Sequence, residues 1–400
     1  MTGVLVVDDS QFMRTVIGNA LTDAGYDVET ASNGSQAIEA VAEYDPDVVT
    51  MDVEMPELGG IDAVERIMAT NPTLILMLSA YTESDSEASL DALERGAVDF
   101  LHKPDPGNPE SKNIAHLAEE VVDKVDELAG ADVSSLALAR AAAAVHSTGR
   151  AGTTEAGGGV ASARTAGTAT EAGPASIPEP GPDPGPAGAD EETEPVPIGG
   201  DPEADPTIVI GASTGGPKIV ERLFTRFPAA LGAKILVVQH MPIGFTGRFA
   251  DRLDSLSEYD VGEVSDGDRI GPGEAVVAPG DHHLEVTGNT DGTVGLRLDD
   301  GPRIHGVRPA IDVTMETAAE AVDGPLCGVV LTGMGRDGAA GVEAIKTAGG
   351  YTIAQDEATS PVFGIPCQAI ETGCIDDVAP ADEIVEQIVD AFATDGENDD

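Results

Sequence analysis

The sequence has no tryptophan, five tyrosines, eight phenylalanines and only three cysteines in 400 residues. So few aromatics exclude an aromatic-rich β-barrel and leave the core to Ala, Val, Ile and Leu, which suits buried parallel strands. Cys327, Cys367 and Cys374 have no metal-ligand spacing, and an odd count without a secretory leader is expected of free thiols in a reducing compartment. No stretch approaches the ~18 apolar residues of a membrane span, and the opening run Val4-Leu5-Val6-Val7 is too short for a signal segment. A cytoplasmic chain without membrane insertion is expected. Basic residues are scarcest of all: 21 Lys and Arg stand against 72 Asp and Glu, a formal net charge of -51. Nucleic acid is therefore excluded as a partner, since phosphate binding needs clustered Lys and Arg. The acids run through every segment, so the charge belongs to the folded parts and not to a tail alone. Such a surface repels itself in dilute buffer and is relieved by salt, which we read as adaptation to the high-salt cytoplasm of a halophile.

What is there is β/α alternation in two blocks. Residues 1–128 carry the expected strands VLVVDD, DVET, DVVTMD, LILMLSA and AVDFLHK, separated by amphipathic helical stretches. Five β/α units predict a doubly wound parallel sheet of the flavodoxin-like kind. Residues 129–206 turn to Ala, Gly, Pro and Glu, a composition that cannot bury enough apolar surface to offset its ordering entropy, and read as a disordered linker. SSLALARAAAAVH, residues 134–146, is a good helix former inside it. Residues 207–394 resume the alternation with TIVIG, AKILVVQH, GPLCGVVLTG and YTIAQD, predicting a second, Rossmann-like parallel sheet. Turn-rich short strands over 260–300 predict a β-hairpin insertion on that same sheet. An acidic tail, 395–400, closes the chain.

In a parallel sheet the strand ends share one edge, where ligands bind. In the first block Asp8 and Asp9 follow strand one, Asp52 ends strand three, Ser79 ends strand four and Lys103 closes strand five before Pro104. Converging carboxylates call for a hard cation, and Mg²⁺ is the expected one. Asp52 can then accept a phosphoryl group, with Lys103 spreading its charge and Ser79 hydrogen-bonding an oxygen. Singly, these residues are as well explained as helix caps and strand ends; their order along the rim is not. The block resembles the receiver domain of two-component response regulators throughout its length. The resemblance implies that the backbone carbonyl of Glu54 completes the Mg²⁺ shell and that Phe100 is the aromatic that moves with Ser79.

In the second block Gly211-Ala212-Ser213-Thr214-Gly215 runs from strand into helix and matches G-x-S-x-G, in which small neighbours expose a serine on a tight turn. Alone, the motif equally suits a packing turn; a dinucleotide loop is disfavoured because G-x-G-x-x-G is absent. A serine needs a base and the base an orienting acid. His240 ends the next strand in VVQHMP, and Asp337 follows LCGVVLTGMGRDG, so all three belong to one sheet edge. An α/β-hydrolase order would require His305 as a late histidine, and no strand precedes it. The Gly333-Met334-Gly335 turn can offer backbone N–H groups to an oxyanion. Asp337 also precedes AAGVEAIKTAGG and can cap that helix.

GASTGGP, VVQHMP, APGDHHLEV, RPAIDV, LTGMGRDGAAG and IAQDEATSPVFGIP together resemble the catalytic domain of the chemotaxis protein-glutamate methylesterases and glutaminases, the CheB family. The resemblance implies Ser213 as nucleophile, His240 as base, Asp337 as orienting acid, and Thr214 and the Met334 backbone as oxyanion donors, with no cofactor in this domain. It implies methyl-accepting chemotaxis receptors as substrate and a chemotaxis histidine kinase as phosphodonor. Cys367-Gln368 stands where a basic residue is expected. Two rival readings stay open. One is a receptor-binding adaptor without chemistry, against which the intact Ser213, His240 and Asp337 speak; the other is an esterase for small molecules.

Overall fold

Val4 to Val7 and Ile75 to Leu78 are wholly buried, as expected of strands covered on both faces by helices. The computed structural model of the chain describes residues 2–79, 91–93, 95–103, 114–129, 194–198 and 205–392. Pro104, the expected helix over 134–146, most of the expected linker and the tail 395–400 lie outside the described residues.

The first half places β1 (Gly3–Val7), β2 (Asp27–Ala31), β3 (Val48–Asp52), β4 (Leu74–Ser79) and β5 (Asp99–His102) in one parallel sheet of order β2-β1-β3-β4-β5. That order reverses between β1 and β3, which opens a crevice at their C-terminal ends. The helices are α1 (Gln11–Asp23), α2 (Gly34–Tyr44), α3 (Gly60–Thr70) and α4 (Ile114–Ala129). Ser10 and Asn33 cap α1 and α2 by accepting from Met13 N and Gln36 N.

The second half builds a seven-stranded sheet, all parallel. Its strands are β6 (Thr207–Ala212), β7 (Lys234–Gln239), β8 (Asp260–Glu263), β10 (Glu274–Val277), β13 (Leu326–Val330), β14 (Tyr351–Gln355) and β15 (Asp377–Ala379), in the order β15-β14-β13-β6-β7-β10-β8. From β6 the chain first runs outward through β7 and returns to β13 on the other flank, so the switch point lies between β6 and β13. Its helices are α5 (Gly216–Arg226), α6 (Thr246–Leu256), α7 (Ile311–Ala321), α8 (Ala339–Thr347), α9 (Gly364–Glu371) and α10 (Ile384–Phe392).

The expected hairpin needs correction. β11 (His283–Thr290) and β12 (Thr293–Asp299) pair antiparallel, but they join β9 (Arg269–Ile270) in a separate three-stranded sheet. From this region only the parallel strands β8 and β10 enter the large sheet, where they pair with each other and β10 with β7. Leu284, Val286, Val294 and Leu296 give the small sheet its own buried face, packed in one cluster with Ile311, Met315 and Ala318 of α7. Alternation with a single apolar face favours such a half-solvated antiparallel sheet over insertion between buried parallel strands.

Candidate functional site

The acidic rim assembles at the β1/β3 crevice. Carboxylate oxygens of Asp8, Asp9 and Asp52 lie within 4.8 Å of one another. Lys103 Nζ stands 2.8 Å from Asp8 Oδ2 and 2.7 Å from Asp52 Oδ1. Burial pushes Asp52 up to about 6 against the lowering effect of Lys103, and the neighbouring Asp8 and Asp9 push the same way. Burial opposes the Lys103 charge, but Asp52 and Asp8 outweigh it and hold the ammonium above its usual range. Asp8 is fully buried and its Oδ2 has no directional hydrogen bond beyond the nearby ammonium. An oxygen-only donor set with a buried, under-satisfied carboxylate fits a hard divalent cation. Ser79 is buried at the end of β4, beside His102 in register. Glu54 is two residues past Asp52, with its side chain exposed and outside the cluster of carboxylates.

The second rim forms at the β6/β13 switch point. Ser213 follows β6 and is 8% exposed. Its N–H donates to Thr332 O at 3.0 Å and its carbonyl accepts from Gln239 Nε2 at 2.8 Å, which clamps the turn from both neighbouring strands. Gly333 has φ +153°, and a Cβ there would come within 2.5 Å of Ser213 Cβ. Any side chain at 333 would displace the serine. The backbone N–H groups of Thr214 and Met334 donate to nothing among the described residues, which leaves them available to an oxyanion.

His240 Nε2 is 2.8 Å from Asp337 Oδ2. Asp337 is nearly buried and also accepts from Ile311 N at 2.7 Å and Asp312 N at 3.0 Å. Burial raises its pKa, but the hydrogen bond and charge of His240 and the two backbone N–H groups prevail and hold it below the usual carboxylate range. The helix that Asp337 caps is therefore α7, not the α8 that follows it in sequence. Asp312 returns the exchange, its Oδ1 accepting from Gly338 N and Gly341 N at 2.8 Å each. Two helix N-termini thus cap each other with buried carboxylates. Ser213, His240, Met334 and Asp337 line one cavity of about 400 Å³. No hydrogen bond joins Ser213 Oγ to His240 in this arrangement.

Sequence reasoning missed the groups that close this cavity from the other half. Leu101, Lys124 and Glu127 line it too. Lys124 Nζ pairs with Asp99 Oδ2 at 2.7 Å and Glu127 Oε2 at 3.2 Å, and it donates across the interface to Thr214 Oγ1. Thr214 Oγ1 in turn donates to Asp99 Oδ2 at 3.0 Å. Burial opposes the Lys124 charge, but Asp99 and Glu127 outweigh it; burial also raises Glu127 despite the lysine. Phe100 stacks on Phe245 with ring centroids 4.7 Å apart, and His102 lies 4.5 Å from the same ring. Gly215 N donates to Val98 O at 3.2 Å. Phe100 was expected to be an aromatic that moves with Ser79; its stacking partner Phe245, on a loop 145 positions away, was not foreseen. The structure also brings His305 to the cavity, although Asp337 pairs with His240.

A sheet ending in an acidic, lysine-bearing crevice, docked on a second sheet whose switch point holds a serine, a histidine and an aspartate, defines a response regulator with an enzyme as its output. The response regulator receiver family matches residues 4–109 and the CheB methylesterase family residues 208–388. The protein-glutamate methylesterase/protein-glutamine glutaminase of Halobacterium salinarum is 48% identical over 393 residues, covering 98% of this chain and 99% of that protein. The protein of the same name from Haloarcula marismortui is 45% identical over 391 residues, covering 98% and 97%. The crystal structure of the Thermotoga maritima CheB methylesterase catalytic domain shares 44% identity, covers 47% of this chain and 99% of that one, and has a TM-score of 0.45. The chain belongs to the protein-glutamate methylesterase/protein-glutamine glutaminase family. No helix among the described residues is long and apolar enough to cross a membrane.

Proposed function

We propose that this chain is a receiver-controlled hydrolase that removes γ-methyl esters from glutamates of methyl-accepting chemotaxis receptors and deamidates their glutamines, in a halophile's cytoplasm. The reading divides the chain into a receiver (1–128), a linker (129–206), a catalytic domain (207–394) and an acidic tail. The single observation that carries it is the meeting of Ser213, His240 and Asp337 on one cavity at the switch point, beneath the receiver's Lys124.

Ser213 Oγ attacks the ester carbonyl carbon while His240 takes its proton. Because Nε2 faces Asp337, Nδ1 is the nitrogen left for that task. Asp337, held ionised, fixes the ring and stabilises the imidazolium. The backbone N–H groups of Thr214 and Met334 receive the oxyanion. The C–O bond to the methoxy group then breaks, the proton passes from His240 to that oxygen, and methanol leaves an acyl-serine. Water repeats the sequence and releases the glutamate carboxylate.

Control lies in the other rim. A chemotaxis histidine kinase is the phosphodonor and Asp52 the acceptor. Asp8, Asp9, Asp52 and the Glu54 carbonyl would hold Mg²⁺, which when bound supplies charge neutralisation for the incoming phosphoryl oxygens. Lys103 gives up its pairing with Asp52 to the phosphoryl group, and Ser79 takes a hydrogen bond to it. Ser79 and Phe100 move together, and the Phe100–Phe245 stack is what that movement disturbs. The receiver then uncovers the cavity.

The test is release of labelled methanol from methylated receptor by the full chain in molar KCl, with and without phosphodonor and Mg²⁺. Release that rises with phosphodonor supports the reading. A well-folded, phosphorylated chain that releases no methanol overturns it.

A further inference from the structure

Beside the His240–Asp337 pair stands a second one that the mechanism above leaves unused. His305 Nε2 lies 2.9 Å from Asp312 Oδ2, and His305 lines the same cavity as Ser213 and His240. Oxygens of Asp312 and Asp337 and a His305 ring nitrogen fall within 4.8 Å of one another. Both carboxylates, however, already accept two backbone N–H groups each. Each also pairs with an imidazole and so orients a ring. His305 is held with φ +52°, a left-handed conformation unfavourable for a residue with a Cβ. Reciprocal backbone bonds between Ile304 and Val307, at 3.1 and 2.9 Å, fix it there. With Gly306 at φ +81°, this is a two-residue hairpin turn, which sets the position of the ring.

The carboxylate of Asp312 also sets the tautomer. An ionised acceptor at Nε2 keeps the proton on that nitrogen, so Nδ1 retains its lone pair. Nδ1 has no partner among the described residues, and the side chain, 32% exposed, lines the cavity. The cavity that holds the nucleophile thus also contains a fixed hydrogen-bond acceptor.

We propose that His305 is a specificity-determining residue that admits the primary carboxamide of glutamine, its Nδ1 accepting one carboxamide N–H. The proposal rests on the methylesterase and glutaminase reading above and concerns the balance between its two substrates. A methyl ester presents no hydrogen-bond donor at its leaving group, whereas a carboxamide presents two N–H groups that water satisfies outside the cavity. Inside, an N–H without an acceptor retains its desolvation penalty. With one N–H on His305, the nitrogen is held while Ser213 Oγ bonds to the carbonyl carbon. His240 passes the serine proton to that nitrogen, the C–N bond breaks, and ammonia leaves the acyl-serine. His305 itself gains and loses no proton.

The experiment uses the full chain with phosphodonor and Mg²⁺ in molar KCl. Its substrates are receptor fragments carrying, at one and the same position, either glutamine or methyl-labelled glutamate. The ratio of the two kcat/KM values, ammonia release over methanol release, is compared between the wild-type chain and His305→Phe, which keeps a ring and removes the acceptor. The ratio should fall about tenfold, as expected for loss of one such hydrogen bond. His305→Gln, whose side-chain oxygen offers an acceptor, should recover part of the ratio. A merely structural role lowers both rates together and leaves the ratio unchanged, which overturns the proposal; His305→Ala carries the same comparison should the Phe variant fail to fold. A wild-type chain that releases methanol but no ammonia also overturns it. One that releases neither refutes the underlying reading instead.

Discussion

In the proposed mechanism Ser213 and His240 serve the chemistry alone, whereas Asp337 also holds the first N–H groups of α7. The three substitutions therefore separate. Ser213→Ala should lower methanol release by about 10⁴-fold or more, with the melting temperature and Asp52 phosphorylation unchanged. His240→Gln should be comparably severe. Asp337→Ala should lose less activity, because water partly replaces the orienting carboxylate, yet it leaves two buried N–H groups unpaired. About 2–3 kcal/mol of destabilisation follows, lowering the melting temperature by about 5 °C or more. Thermal melts beside methanol release decide this: an Asp337→Ala chain as stable as the wild type contradicts the reciprocal capping. Asp337 was legible as an acid on the rim, but its helix was not. The sequence neighbour α8 looked like the element to cap, and the pairing with α7 exists only once β13 is seated beside β6.

At the scale of elements, β5 and α4 meet the loop after β6 through Asp99 and Lys124, which both hydrogen-bond Thr214. In the closed arrangement Lys124 neutralises Asp99 and Glu127 and donates to Thr214. Lys124→Met leaves two carboxylates facing each other with no cation, and they are rehydrated only if the interface opens. Losing a charge-assisted hydrogen bond of about 1.5 kcal/mol shifts such an equilibrium about tenfold. Methanol release without phosphodonor should rise by about that factor, while phosphorylation of Asp52 proceeds normally. Basal activity at the wild-type level would mean that Lys124 does not hold the halves together. The network escaped sequence reasoning because Lys124, Asp99 and Glu127 look like ordinary i,i+3 and strand-edge charges until Thr214 is placed among them.

The whole molecule bears a net charge of -51, and its two halves are both acidic. A fragment beginning near Asp205 should release methanol without any phosphodonor, since the receiver's Leu101, Lys124 and Glu127 no longer cover the cavity. A well-folded but silent fragment would make the receiver an obligatory activator and refute occlusion. Salt acts on the same scale. Screening at ~1 M shortens the Debye length to about 3 Å, which removes repulsion between distant carboxylates and spares contacts such as His240–Asp337. Melting temperature and methanol release should therefore both climb steeply from dilute buffer to molar KCl. A melting series that is flat or falls with KCl contradicts the salt adaptation and leaves the hydrolase reading standing.

Two parallel sheets, their strand ends and the residues on each rim were determined by the sequence. Buried strands announce themselves as apolar runs, and the residue ending each run must stand on the sheet's C-terminal edge. Local order sufficed for that. Which rim faces which, which helix Asp337 caps and which histidine shares the cavity were decided only by tertiary structure. Those contacts join residues far apart in the chain: Phe100 with Phe245, Lys124 with Thr214, and Asp312 with Gly338. The hairpin shows the same division. Its strands could be read from alternation, but their sheet could not, because partners are chosen by which faces remain uncovered after the large sheet has formed.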